Sequence, residues 1–180
     1  MTTTSETEFD PASVEQVRAS VGEYLQGSLD GRGQRIGLAC ARFNGAITVR
    51  LVEGALAALL GAGVDRSDIS LAWAPGAFEL PLVARAYTSG ARPVDAVIVL
   101  GAVIRGDTGH YEIVAGECAR GAQDVQLRTG VPVVFGVLTT NTVQQALERS
   151  LPDSTNKGRE AALTALEMIS VLARGALARP

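Results

Sequence analysis

The sequence predicts an α/β protein: a three-layer α/β/α sandwich built on a four-stranded parallel sheet. Three observations lead there. The run 94–103 is rich in valine and isoleucine and is broken only by Asp95 and Gly101, so it reads as a strand buried on both faces, as in a parallel sheet. Segments between the strand-like runs carry apolar residues at helical spacing, with Gly and Pro marking their ends. Strand-like and helix-like segments alternate through a chain of 180 residues, a length suited to one compact domain with a sizeable core.

Residues 1–20 are rich in Thr, Ser and Glu and read as a loose tail. A short helix over 13–21 is an option within it, since Val14, Val17 and Val21 share a face. Residues 22–29 read as an extended arm, and Gly31 and Gly33 mark the entry to the domain, placed at 21–174, with 175–180 as a second tail. The first strand covers 36–41 and ends at Arg42, Phe43, Asn44 and Gly45. A helical stripe follows through Ile47, Leu51, Ala55, Ala58 and Leu59, and stops at Gly61 and Gly63. The second strand is 69–74, closed by Pro75 and Gly76. Trp73 falls inside it and is assigned to the core.

The next helix runs from about 77 to 88. Pro81 sits so near its start that no intrahelical hydrogen bond is lost. The third strand is 95–101. A helix over 111–128 ends before Gly130, and the fourth strand is 132–138. Thr142 and Gln145 have the spacing of a capping box for a short helix reaching Ser150. A break at 151–155 precedes a last helix over 157–173.

Composition excludes several classes. Net charge is −3 and no basic block appears, which disfavours nucleic-acid binding. Lys157 is the sole lysine among 16 basic residues. Cys40 and Cys118 lack metal-ligand spacing, and one histidine cannot complete a ligand set around them, so both read as buried free thiols in a reducing compartment. The polar start of the chain has no apolar signal region, and no apolar run approaches the roughly 20 residues that span a bilayer. The expected location is the cytoplasm.

Ligands of parallel α/β sheets bind outside the carboxyl ends of the strands. That rule gathers four separated segments: 42–45, 74–79, 101–110 and 135–140. The third, GAVIRGDTGH, joins a buried strand to a helix through Gly106 and Gly109. Free N–H groups at such a turn, with the helix dipole behind them, suit an anion. The same turn ends on His110, the only histidine of the chain. Histidine is the side chain that titrates nearest neutral pH, so His110 is the candidate for proton transfer.

Taken together, the residues at these ends resemble the lumazine synthase family. The matching segments are RFN (42–44), PGAFE (75–79), GAVIRGDTGH (101–110), FGVLTT (135–140), QALER (145–149) and NKG (156–158), in that order across about residues 22–172. Departures are Gly109, where a bulkier residue or proline is common in the family, and Ala74, where valine is usual. Neither removes a chemical group.

The resemblance implies a flavodoxin-like fold and a transferase of the penultimate step of riboflavin biosynthesis. The reaction condenses 5-amino-6-(D-ribitylamino)pyrimidine-2,4-dione with 3,4-dihydroxy-2-butanone 4-phosphate, giving 6,7-dimethyl-8-ribityllumazine, phosphate and water. The substrate amine is itself the nucleophile, so no Schiff-base lysine, metal or other cofactor is implied.

Site roles follow from the matched positions. His110 moves protons. Phe43 stacks on the pyrimidine ring, Ala77 and Phe78 offer backbone contacts, and Glu79 accepts from ribityl hydroxyls, although a glutamate there also favours a helix start. Ala102, Val103 and Ile104 line the ring edge through their main chain. The amides of Asp107 and Thr108, with the Thr108 hydroxyl, form the phosphate cradle, the Asp107 carboxylate turning away. Arg149 is the bidentate phosphate clamp. It is implied to come from an adjacent subunit together with Phe135 and Lys157.

The implied assembly is therefore a ring of five subunits, with 22–29 adding a strand to a neighbour's sheet. Family members occur as pentamers, decamers or icosahedral shells, and shell-formers tend to carry a glycine- and lysine-containing loop before NKG. By that resemblance the proline-bearing, acidic loop 150–155 favours a pentamer. Two other readings keep the fold: an archaeal-type riboflavin synthase, and a non-catalytic flavin- or lumazine-binding shell protein.

Overall fold

The structure, a computed structural model, describes residues 10–174. Residues 1–9 of the first proposed tail and the whole of the second therefore lie outside the described residues. Residues 11–19 form a helix, α1 (Pro11–Ala19), capped by Asp10, whose carboxylate accepts from Ser13 N at 2.9 Å; none of its residues is buried. Residues 22–29 carry no helix or strand. Part of this arm lies on the last helix of its own chain, where Ser28 N donates to Ser170 Oγ at 3.0 Å.

The domain is a four-stranded, all-parallel sheet in the order β2-β1-β3-β4. Its strands are β1 (Ile36–Ala41), β2 (Ile69–Ala74), β3 (Ala96–Ile104) and β4 (Val133–Thr140). The helices are α2 (Gly45–Gly61), α3 (Leu80–Ser89), α4 (His110–Thr129), α5 (Val143–Glu148) and α6 (Lys157–Leu172). A single 3-10 turn (Ala77–Glu79) precedes α3.

Alternation along the central strands sends successive side chains to opposite faces, and each face has its own core. Leu38, Cys40, Ile98 and Leu100 pack with Leu51, Ala55 and Leu59 of α2 and with Ala162, Ala165 and Leu166 of α6. Ala39, Ala41, Val97 and Val99 pack with Leu80 and Ala84 of α3 and with Cys118 and Ala122 of α4. The two thiols thus sit in different layers, and burial pushes each up to about 12. Neither is a nucleophile near neutral pH.

Three expectations need correction. Strands β3 and β4 run on past residues 101 and 138, to Ile104 and Thr140. Gly101 does not break the strand; it admits a close neighbour, since an added Cβ there would meet the Ala41 Cβ at 3.0 Å. Pairing continues through Ala102↔Leu138 to Ile104↔Thr140, which carries the strand ends outward to the site. Finally, Trp73 is not core. It is 44% exposed because β2 is an edge strand, and Leu71 on the same strand is exposed with it.

Helices α2 and α6 meet at very short range. A Cβ on Gly158 would fall 1.9 Å from the Leu51 carbonyl oxygen, so only glycine fits there. Beside it Asn156, 1% exposed, satisfies its whole amide. Its Oδ1 accepts from Gly158 N at 2.9 Å and Arg159 N at 3.1 Å, and its Nδ2 donates to Leu151 O at 2.9 Å and Arg50 O at 3.2 Å. One side chain thereby caps α6 and pins both the loop before it and α2.

Candidate active site

The ends of β1, β2 and β3 open on a cavity of about 660 Å³. Its volume is within the range usual for small-molecule sites. Phe43, the turn 75–79, Ala102, Val103 and Ile104 form one side, and Gly106, Thr108, His110, Tyr111, Ile113 and Val114 form the other.

Phe43 reaches this position through backbone geometry. Arg42 N donates to Ala74 O at 2.9 Å and Phe43 N to Pro75 O at 3.1 Å, so the chain leaving β1 is tied to the turn after β2. Asn44 then takes a left-handed conformation, φ 57°, which asparagine tolerates better than most residues. Its Nδ2 donates to Ala102 O at 2.8 Å and fastens the turn to β3. The outcome is an aromatic ring left 72% exposed at the cavity, unlike a core phenylalanine.

Glu79 sits on the 3-10 turn, where its Oε2 accepts from Gly76 N at 3.1 Å. That bond supports the helix start, and Glu79 also lines the cavity. Across the cavity the residues 105–109 cross over to α4. His110 is the first residue of that helix and is exposed, with its N–H 3.5 Å from the Thr108 Oγ1. The backbone N–H groups of this first turn lack intrahelical acceptors and lie at the positive end of a 20-residue helix.

Next to this turn, Arg105 pairs with Glu112 and has Tyr111 against one face of its guanidinium, 4.2 Å from the ring centroid. The hydrogen bond from Arg105 holds the Glu112 carboxyl below the usual carboxylate range, and Glu112 in turn raises Arg105. A lowered acid keeps its charge as pH falls through the ordinary carboxylate range. The pairing is lost only as pH passes below the lowered value.

Nine of the residues singled out from the sequence line the cavity: Phe43, Ala77, Phe78, Glu79, Ala102, Val103, Ile104, Thr108 and His110. Asp107 lies in the same turn without lining it. Phe135, Arg149 and Lys157 are not brought to this cavity within one chain. Phe135 is exposed on the edge strand β4, and Arg149 caps the end of α5 with its Nη1 donating to Gln145 O at 3.1 Å. Lys157 opens α6 and binds Glu160 at 2.7 Å.

A family model of 6,7-dimethyl-8-ribityllumazine synthase matches residues 33–173. The chain belongs to that family. It is 52% identical over 149 residues to the 6,7-dimethyl-8-ribityllumazine synthase of Edwardsiella ictaluri (strain 93-146), an alignment spanning 82% of this chain and 95% of that one. Membership covers every strand of the sheet and every wall of the cavity.

Within this lumazine synthase fold, Tyr111, Ile113 and Val114 were not singled out by sequence reasoning. Their signal was available: positions 110, 113 and 114 share one helix face, and that face begins at His110. Asn44 and Arg105 were quoted within motifs and given no role. No helix among the described residues is long and apolar enough to cross a membrane.

Proposed function

We propose that this chain condenses 5-amino-6-(D-ribitylamino)pyrimidine-2,4-dione with 3,4-dihydroxy-2-butanone 4-phosphate to 6,7-dimethyl-8-ribityllumazine, phosphate and water. The observation that carries the reading is the cavity itself: an exposed Phe43, a carboxylate at Glu79 and the lone His110 around one space, in a chain of this family. Phe43 offers a flat face to the pyrimidine ring. Glu79 faces the polyol hydroxyls, and the backbone of Ala102, Val103 and Ile104 reads the ring edge.

The chemistry asks the protein mainly for alignment and proton movement. The amine of the pyrimidine attacks the ketone, and loss of water gives an imine. The imine acidifies the neighbouring C–H; removal of that proton expels phosphate from the next carbon. Ring closure then releases a second water. His110 stands where it can take and return these protons, and Thr108 with the Asp107 and Thr108 amides receives the phosphate at the start of α4. Holding both reactants in register supplies up to roughly 7–11 kcal/mol.

His110→Ala is expected to lower kcat about 100-fold, the low end for general acid–base help, because imine formation proceeds readily once the partners are aligned. Steady-state rates by lumazine fluorescence check this, and an unchanged kcat removes His110 from the mechanism. Mixing both substrates with the purified protein tests the reaction itself. Lumazine fluorescence with matching phosphate release supports it; tight flavin binding without turnover favours a binding protein.

The working unit on this reading is a ring of five subunits, each cavity completed by Phe135, Arg149 and Lys157 of a neighbour. What supports it is the surface of the single chain. Phe43, Phe78 and Ile113 leave an apolar rim exposed around the cavity, and β2 leaves an uncovered edge carrying Leu71 and Trp73. Exposed apolar patches and open sheet edges are the usual marks of an interface. The arm 22–29 is suited to that edge. Unpaired thiols in separate layers fit a cytoplasmic setting.

A further inference from the structure

Arg105 lies beside the cavity, yet its guanidinium is already engaged on several sides. Nε donates to Asn141 Oδ1 at 3.0 Å, Nη1 pairs with Glu112, and Tyr111 covers one face at 4.2 Å. Its own N–H donates to Thr140 O at 2.9 Å as the last link of the β3–β4 ladder. Two of its five N–H donors are thus spent on the chain itself. It ties together three segments: the end of β3, the first turn of α4 and the residue after β4.

The segments are those that carry the proposed phosphate ligands. On one side, Tyr111 and Glu112 belong to the first turn of α4, directly after Thr108 and His110. On the other, Asn141 N donates to Gln145 Oε1 at 2.9 Å, and the same oxygen receives Thr142 N at 3.3 Å. Gln145 is the capping residue of α5, and its carbonyl accepts from Arg149 Nη1 at 3.1 Å. A continuous run of contacts thus leads from His110 through Arg105 and Asn141 to Arg149. In the assembly proposed above these two ends serve different cavities, so the tie sets how one chain presents both of its half-sites.

We propose that Arg105 is a positioning residue for phosphate binding, locking the turn 106–109 and the start of α5 so that Thr108 and Arg149 are presented together. The inference rests on the phosphate roles assigned under the proposed function. A guanidinium is needed because its planar fork reaches Asn141 and Glu112 at once while stacking on Tyr111; a lysine ammonium cannot do all three.

The test is steady-state kinetics with both substrates on the full-length protein as Arg105→Ala, Arg105→Lys, Asn141→Ala and the Arg105→Ala/Asn141→Ala double variant. Sedimentation of each reports whether it assembles as the wild type does. Arg105→Ala is expected to raise KM for the butanone phosphate roughly 10- to 100-fold, since small misplacements of positioning groups have effects of that order. KM for the pyrimidine stays within about twofold, the signature of a loss confined to one substrate. Arg105→Lys fails to restore the phosphate KM. Asn141→Ala shifts it in the same direction by less, and the double variant is no worse than Arg105→Ala alone, because the two act as one unit.

Restoration by lysine, an equal rise in both KM values, or additive effects in the double variant would each overturn the tie. If Arg105→Ala does not assemble, Arg105→Lys and Asn141→Ala decide by the same readouts. Failure of the underlying site reading looks different: Arg149→Ala then leaves KM for the butanone phosphate unchanged, or the wild type itself gives no lumazine from these substrates.

Discussion

Replacing Arg149 by alanine is expected to raise KM for 3,4-dihydroxy-2-butanone 4-phosphate about 10²–10⁴-fold while leaving KM for the pyrimidine nearly unchanged. The size follows from the bonds removed. A guanidinium grips phosphate oxygens through two charge-assisted hydrogen bonds, each contributing about 1.5–3 kcal/mol, and every 1.4 kcal/mol is about tenfold in affinity. The asymmetry follows from the proposed partner, an ester group found on one substrate only. In the single chain the Arg149 side chain is exposed and, among the described residues, donates only to the Gln145 carbonyl within its own helix end, so its removal has little to disturb in the fold. Initial rates with each substrate varied in turn measure both constants, and equal rises would remove Arg149 from phosphate binding.

Asn156→Ala is expected to have the largest effect on stability, about 3–4 kcal/mol in chemical denaturation. The substitution deletes an N-cap, an effect of about 1–2 kcal/mol. It also removes the two hydrogen bonds from Nδ2 to the Arg50 and Leu151 carbonyls, which contribute about 0.5–1.5 kcal/mol each. Water entering the vacated space offsets part of the sum. Asn156→Asp separates the two halves of the role: it keeps the cap at Oδ1 and loses the donor to the carbonyls. Its second carboxylate oxygen then faces both carbonyls at a buried position, so it should be no more stable than alanine, and an alanine variant as stable as wild type would contradict this account of the α2–α6 contact.

Much of the frame was legible because the punctuation and the burial pattern agreed. The bounds of β1 and β2 coincide with the apolar runs 36–41 and 69–74, each of which ends where the chain turns toward the cavity. The capping box at Thr142 and Gln145 was local and appears as read, as does the helix end at Gly130, whose φ of 65° is a left-handed cap. What failed were properties that no local window holds. Gly101 looked like a terminator, but its reason is the neighbouring Ala41 on β1. Trp73 looked like core because burial depends on strand order, which puts β2 at the edge.

The site divides in the same way. Residues at the strand ends were gathered by a topological rule, and the cavity is lined by three of those four segments, leaving out 135–140. The tie from Arg105 to Asn141 joins positions 36 apart in sequence, and no spacing announces it. The left-handed turn at Asn44 is visible only once its amide is seen on the Ala102 carbonyl. Phe135, Arg149 and Lys157 lie away from the cavity within a single chain.

Mixing two damaged chains tests the shared cavity most directly. His110→Ala and Arg149→Ala proteins are unfolded together, refolded as a mixture, and assayed with the phosphorylated substrate far below the raised KM. If each cavity takes its imidazole from one chain and its guanidinium from the next, random assembly restores both groups at about one seam in four, and activity recovers to roughly a quarter of wild type. If both groups serve a cavity within one chain, every cavity in the mixture stays defective. Activity that never exceeds the average of the two variants alone would contradict the account.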